Sequence, residues 1–553
     1  MESLLVSNKE VVAAVAGAVL ALVVPHLSQA RSSRSRRRPL LPAWWWLAIL
    51  LSVLGGAVCT TAKEAIRRGP LSVALKRQEI PLHSDGGIVQ HKSAYYGEIQ
   101  VGGPNSQKFE VVFDTGSGHL VLPSTMCRSE TCISHRRYKR KSSLLAQDID
   151  VDGSLVKPGQ MRDQITVSFG TGEVTGVFMQ DRVCLGNPVA SQPDADAAVG
   201  ASLLQVGKLK PLKRANATEA PGEAEALPTV EEAAAAVAGG DTALAKQVTL
   251  ALTGKGPIPK PGPALEAVRT AARKVHARQN GDGCIDMRMV AATEMSEDPF
   301  SQFQFDGVLG LGLPGLSQTN QFNFLDTAAE MGAWNAIEGA ERTFAVFLAI
   351  TDDEQSQITF GGWDESLMRE GQEFVWSPVR DPELGYWQLD VTGITAGGVK
   401  SNFCDDGCRA VVDTGTSLLG VPSSLGQELT DALRHSPGPD GLCDQTSPLL
   451  EIHLGNFTIA LDPLDYSRPE VANQGLEALP AAKGDEASGA KSENACIPML
   501  MHIDLPPPIG PKTLILGEPV LQKYYTAFDA GAKRIGFTNV RPEGKRRPAR
   551  IFA

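Results

Sequence analysis

The tripeptide Asp-Thr-Gly occurs twice in this chain, about 300 residues apart, in near-copied surroundings. The first copy reads Val-Val-Phe-Asp114-Thr115-Gly116-Ser117 and the second Ala-Val-Val-Asp413-Thr414-Gly415-Thr416. In both, Pro-Ser follows at the same offset from the aspartate, Pro123-Ser124 and Pro422-Ser423. One such turn arises often by chance. Two with matched flanks point to an internal duplication that supplies one carboxylate per half. A second repeat supports it: Phe305-Asp306-Gly307-Val308-Leu309-Gly310 late in the first half, and Leu514-Ile515-Leu516-Gly517 late in the second. Two carboxylates held together cannot both ionise easily, so one proton is shared between them. The ionised member can take a proton from water while the protonated member polarises a carbonyl.

At 553 residues the chain exceeds one simple domain, and 42% apolar residues are enough for a large core. The net charge of -11 and the lack of a basic groove with interleaved aromatics exclude a nucleic-acid role.

The N-terminal region does not read as part of a soluble fold. Val11 to Val24 is a short apolar run. Five arginines fall between Arg31 and Arg38, and Leu40 to Ala62 forms a longer apolar stretch opening near Trp44-Trp45-Trp46. The second stretch is long enough to span a bilayer. Its basic flank and aromatic edge fit a signal-anchor with a cytoplasmic N-terminus. A cleaved signal ending near Ala57-Val58-Cys59 and a buried helix are the alternatives. Cys59 lies in this stretch. The other cysteines form an even set of eight: Cys127, Cys132, Cys184, Cys284, Cys404, Cys408, Cys443 and Cys496. Disulfides in an oxidising lumen are the expected reading, against buried thiols or zinc. Zinc would want tighter clustering and histidines at ligand spacing, so no metal is expected.

The expected organisation is a tail and membrane or signal segment over residues 1–62, a stalk or short propeptide over 63–92, and lobes at 93–348 and 349–542. A basic tail covers 543–553. Arg67-Arg68 and Lys76-Arg77 are possible processing points. Between 187 and 283, Pro, Ala, Glu and Lys dominate and aromatics vanish, which reads as an insertion unable to bury its own core. Val230–Val237 and Pro263–Arg278 are its expected helical parts. A shorter polar tract runs over 467–494. Cys184 and Cys284 flank the first tract, which is the reason to pair them. Gln164–Phe169, a Gly170-Thr171-Gly172 tip and Glu173–Met179 read as a tight hairpin.

These residues resemble the pepsin-like aspartic proteases over roughly 93–542, the two tracts excepted. The motifs that carry the resemblance are the two aspartate turns, the Gly-Thr-Gly hairpin, Phe305 to Leu311, Gly385-Tyr386-Trp387-Gln388, the Cys404/Cys408 spacing before the second turn, and Tyr524-Tyr525-Thr526-Ala527-Phe528-Asp529. The resemblance implies a mainly β, bilobal fold with a cleft between homologous lobes and Asp114 and Asp413 at its floor. It implies hydrolysis of peptide bonds, by default between hydrophobic residues, without a cofactor and by a monomer. Thr115 and Thr414 would bond across the lobes. Gly116 and Gly415 would leave room for backbone N–H groups, and Ser117 and Thr416 would donate to the outer carboxylate oxygens. Phe169, Gly170, Thr171 and Gly172 match a flap that closes over substrate; Val308 and Tyr386 would line the cleft. Family members usually carry Tyr at the position of Phe169 and Trp at that of Val121, hydrogen-bonded to each other, so the joint change implies a re-packed apolar flap base. The resemblance also implies the pairs Cys127–Cys132, Cys404–Cys408 and Cys443–Cys496. Asn216 and Asn456 are glycosylation candidates in a lumen. The alternative function is a catalytically inactive relative that binds peptides through the cleft.

Overall fold

The structure is a computed structural model. It describes residues 70–540 apart from 85–86, 104–105, 158, 171, 187–229, 254–255, 257–258, 260–261, 276–281, 352, 441 and 470–494. The apolar stretches at 11–24 and 40–62, Cys59, the basic tail, Thr171, Asn216 and most of the 467–494 tract therefore lie outside the described residues. Among the described residues no helix is long and apolar enough to cross a membrane.

The fold is mainly β, and the duplication read from the aspartate turns reappears as duplicated strand order. Phe109, Val111, Val112 and Phe113 are buried on both faces of the strand Gln107–Asp114. A near-continuous apolar run of this kind suits a strand with a parallel neighbour and covered faces. That neighbour is Gly307–Gly310, with Asp114 opposite Gly310. Gly307–Gly310 also pairs antiparallel with Leu120–Pro123, and Leu120–Pro123 runs parallel to Cys284–Met295. The second lobe repeats each step. Cys408–Val412 is parallel to Thr513–Leu516, which is antiparallel to Leu419–Val421, which is parallel to Leu500–His502. Gly310 and Gly517 close the equivalent corners. A Cβ on Gly310 would lie 2.5 Å from His119 N, and one on Gly517 would lie 2.3 Å from Thr416 O, so both strands must end in glycine where the aspartate turn crosses them.

The lobes share one sheet as well as this repeat. A 14-stranded sheet runs from Val375–Pro378 through Tyr524–Asp529, Thr343–Phe347 and Ser356–Phe360 into Leu71–Ser84 and the strands of the first lobe. Trp387, Phe344, Phe360 and Phe528 are fully buried in one core cluster with residues of both halves.

The structure corrects three expectations. Residues 71–84 are not a stalk: Leu71 to Leu75 pair with Phe360 to Ser356, and Lys76 onward pairs with the strand Gly87–Val101. Alternation explains it, because Val73 and Leu75 are buried at period two. The boundary at 93 accordingly falls inside a strand. The 187–283 insertion is not coreless. Helices Val230–Ala238, Thr242–Leu252 and Pro263–Val275 bury Ala233, Ala234, Val248, Ala251, Leu252, Val268, Ala271 and Ala272 against each other and against Leu144. Alanine stripes let short helices approach closely, a signal carried by period and not by aromatic content. Asp241 caps the middle helix by accepting from the Ala243 and Leu244 amides. Finally, the second polar tract begins later than 467, since Ser467–Pro469 pairs with Cys496–Pro498.

Bonds join Cys127 to Cys132, Cys184 to Cys284, Cys404 to Cys408 and Cys443 to Cys496. Cys184 stands opposite Cys284 at the end of the Gly172–Leu185 and Cys284–Met295 ladder, so this bond closes the neck of the insertion.

Candidate active site

Each aspartate sits where a buried strand runs out into a turn, and backbone geometry holds the two turns against one another. Thr414 Oγ1 accepts from Thr115 N at 3.0 Å, and Thr115 Oγ1 accepts from Thr414 N at 3.0 Å. Each hydroxyl then donates onward into the opposite lobe, Thr115 to Val412 O at 2.9 Å and Thr414 to Phe113 O at 2.6 Å. Four bonds thus lock the lobes around a local two-fold axis. Below them, Leu311 N donates to Asp114 O and Asp413 N to Leu516 O, while Trp387 Nε1 donates to Leu311 O.

The carboxyls face each other across this lock. Gly116 N donates to Asp114 Oδ1 and Gly415 N to Asp413 Oδ1, both at 2.9 Å. A Cβ on Gly415 would lie 2.6 Å from Asp114 Oδ1 and 3.3 Å from Asp413 Oδ1. Only glycine leaves that space to the two inner oxygens. Thr416 Oγ1 donates to Asp413 Oδ2 at 2.6 Å. The pseudo-symmetric Ser117 differs: its buried hydroxyl has no partner in good geometry, although it lies close enough to Asp114 to favour the charged form. Asp114 is 8% exposed. Burial first, then the charge of Asp413 with which it shares a hydrogen bond, raises its carboxyl to about 7. Half-buried Tyr386 feels the same two charges: burial and then Asp413 and Asp114 raise its phenol.

The chain is similar to known proteins over most of its length. The profile described as "Eukaryotic aspartyl protease" matches residues 94–198 and 284–540, skipping the helical insertion. The chain belongs to that family. Among its relatives, gastricsin of Cavia porcellus is 26% identical over 452 residues, 80% of each chain. Cathepsin D of Homo sapiens is 25% identical over 503 residues, 88% of this chain and 90% of that one. Cathepsin E of Aquarana catesbeiana is 26% identical over 452 residues, 81% of this chain and 79% of that one. Like these aspartic proteases, the chain is a hydrolase of the aspartic endopeptidase type and takes polypeptide substrates.

In this aspartyl protease the hairpin pairs Gln164–Phe169 with Gly172–Leu185, Phe169 opposite Gly172, and Gly170 turns at φ +57°. One side of it is tethered. Glu173 N donates to Ser296 Oγ and Ser296 N to Glu173 O, each at 3.0 Å. The half-buried Phe169 ring meets Phe300 edge-on, centroids 5.7 Å apart, and packs on a cluster containing Val121, Val308, Phe178 and Phe322. Tyr96 belongs to the same cluster, and its hydroxyl donates to Gln304 Oε1. Val308 is only 6% exposed within the cluster and so offers little surface to a ligand. Phe169→Ala is expected to raise KM for an apolar peptide about tenfold, the equivalent of roughly half a buried aromatic side chain, with kcat nearly unchanged. An unaltered KM in steady-state kinetics would remove Phe169 from the substrate's path.

Asn456 sits on the turn between Leu450–His453 and Thr458–Leu461, exposed. Its Nδ2 donates to Trp376 O at 2.7 Å and its Oδ1 accepts from Ser377 Oγ at 2.9 Å, so the amide is already engaged in the fold. Potential metal donors cluster once among the described residues, at His435, Cys443 and Cys496, where both sulfurs are spent in a disulfide.

Sequence reading missed three groups near the aspartates. Ser417 Oγ donates to Ser93 O at 2.6 Å and accepts from Ser93 N at 3.0 Å, clamping the Asp413 turn to the first lobe. His119, 4% exposed, accepts from Gln318 N at Nε2, and burial lowers it to about 4. Glu518 carries a carboxyl straight after the buried run Leu514-Ile515-Leu516-Gly517. A charge at that place was the available signal, since it needs partners wherever it is buried.

Proposed function

We propose that Asp114 and Asp413 share one proton and activate a water for attack on a peptide bond held across the cleft. The observation that carries this is the opposition of their inner oxygens, with Asp114 holding its proton up to about pH 7. The ionised carboxylate takes a proton from water as the oxygen adds to the scissile carbonyl. The protonated carboxyl gives its proton to the carbonyl oxygen, forming a neutral tetrahedral diol. Collapse of the diol returns a proton to the departing amine, leaves a new carboxyl terminus and restores the shared proton. The threonine lock keeps the turns from separating as charge moves, so little reorganisation accompanies the step. An apolar hairpin base around Phe169 and Phe300 favours hydrophobic residues beside the cleaved bond. Four disulfides fit an oxidising lumen or the extracellular side.

The full chain, oxidatively refolded, is expected to cleave an unfolded protein from about pH 4 to near neutrality and to bind a pepstatin-type analogue. A folded protein with no cleavage products and no analogue binding would sink this reading. Analogue binding without cleavage would instead support the inactive, peptide-binding alternative.

A further inference from the structure

Behind the Asp413 turn stands a buried carboxyl that the mechanism does not use. Glu518, 7% exposed, opens the helix Glu518–Lys523. Its backbone N–H donates to Thr416 O at 2.9 Å, and Thr416 is the residue whose hydroxyl holds Asp413 Oδ2. The partners of its side chain come largely from the first lobe. Tyr95 OH donates to Oε1 at 2.9 Å, and Gln522 Nε2 donates to the same oxygen at 2.7 Å and to Tyr95 OH at 2.8 Å. Arg77 Nη2 lies 3.2 Å from Oε1 and 2.5 Å from Glu79 Oε1. Arg77 stands opposite Tyr95 in the strand register, its guanidinium 5.9 Å from the ring centroid.

The groups that act on Glu518 are therefore Arg77 and Glu79 from the strand Leu71–Ser84, Tyr95 and the Ser93 hydroxyl from the strand Gly87–Val101, and Gln522 from its own helix. Burial pushes its carboxyl up, and Arg77 is the largest force holding it down. Removing one partner of a buried ion pair is more damaging than removing both, because the survivor is left uncompensated.

We propose that Arg77 is a positioning residue for the Asp413 turn, acting through Glu518, and that the strand Leu71–Ser84 stays in the working enzyme instead of being cut away at Lys76-Arg77. The proposal rests on Asp413 being half of the hydrolytic pair. Its geometry is a continuous path: guanidinium, Glu518 carboxylate, Glu518 N–H, Thr416 carbonyl and hydroxyl, Asp413. The dibasic pair is also a poor cleavage point, since Lys76 and Arg77 are both paired in a ladder, opposite Tyr96 and Tyr95. A cut there would take the cation from a carboxyl that nothing else among these groups can neutralise.

The test compares full-length wild type with Arg77→Ala, Arg77→Lys, Glu518→Gln and the Arg77→Ala/Glu518→Gln double variant, reading kcat, KM and Tm across pH. Arg77→Ala is expected to lower kcat about tenfold with KM little changed, the signature of a displaced catalytic turn. Removing Arg77 lets burial raise the Glu518 carboxyl further, so the Tm deficit of Arg77→Ala should be small near pH 4 and grow as pH rises toward 7, because ionising the unpaired carboxyl then costs the fold more. Arg77→Lys and the double variant should recover most of both. Equal losses at every pH with no recovery in the double variant, or no effect of Arg77→Ala, would overturn the proposal. So would an active wild-type protein whose N-terminal residue is Gln78 or later. If wild type hydrolyses nothing, the proposed function fails, while the Tm–pH comparison still judges the Arg77–Glu518 pair.

Discussion

Asp413→Asn lowers kcat/KM by about four orders of magnitude, the upper end of what removing a general acid–base group takes away. The loss falls on kcat, since few of the contacts along an extended peptide involve this carboxyl. The substituted amide still accepts from Gly415 N through its oxygen and keeps a contact with the Thr416 hydroxyl, so the turn stays folded. Asp114→Asn has the same kinetic effect and a distinctive structural one. Wild-type Asp114 is driven up to about 7 by burial and by Asp413, so above that pH a buried Asp114 carboxylate faces the charge of Asp413. The amide removes the repulsion, and Tm at pH 8 is expected to rise even as activity vanishes. Stability and activity moving in opposite directions mark a strained functional pair. If Asp114→Asn lost activity together with Tm at pH 8, the aspartate would be holding the fold and not the reaction.

The site was legible because its constraints are local and doubled. Gly116 and Gly415 each stand two residues after their own aspartate with the backbone N–H on its Oδ1, while the inner oxygens of both aspartates fill the space a Cβ would take. Short-range demands of this kind leave fixed offsets in sequence. What stayed hidden depends on partners far along the chain. Arg77 and Glu518 are ordinary charged residues until the strand Leu71–Ser84 is laid beside Tyr95. The Ser93–Ser417 clamp spans 324 positions and involves two of the commonest surface residues. The helical insertion was misjudged for another reason. Its core is built of alanine and valine at helical spacing, so a reading weighted toward aromatics undercounts what Ala234, Val248 and Val268 bury. In the hairpin the opposite holds: Phe169 and Val121 announced an apolar base, and the ring contact with Phe300 gives that base its second half.

Asp181 should make stability fall as pH rises from about 4 to 6, against an opposite slope from His119. Asp181 is 2% exposed and accepts from Tyr138 OH, Ser143 Oγ and Arg182 N. Burial outweighs these three donors and raises its carboxyl from 3.8 to about 6. The folded state therefore holds this proton more tightly than the unfolded chain does. The stability it contributes is complete below about 4 and is lost as pH climbs through about 6, roughly 3 kcal/mol in all. His119 works in the other direction. Burial beside Phe322 lowers it from 6.5 to about 4, so its contribution is complete above 6.5 and is lost as pH falls toward 4, again roughly 3 kcal/mol. These two nearly cancel between pH 4 and 6. The balance passes to Asp114, Asp306 and Glu518, whose carboxyls are all raised chiefly by burial, and tilts the optimum to the acid side. Asp181→Asn keeps acceptors and donors for Tyr138 and Ser143 without an ionisable proton. It should remove roughly 3 kcal/mol of pH dependence between pH 4 and 7, seen as a flatter Tm–pH curve. His119→Gln offers an oxygen to Gln318 N and should extend stability further into acid, steepening the fall toward neutrality. An Asp181→Asn protein with the wild-type slope would show that the buried tyrosine–aspartate–serine network is not what ties this fold to acid conditions.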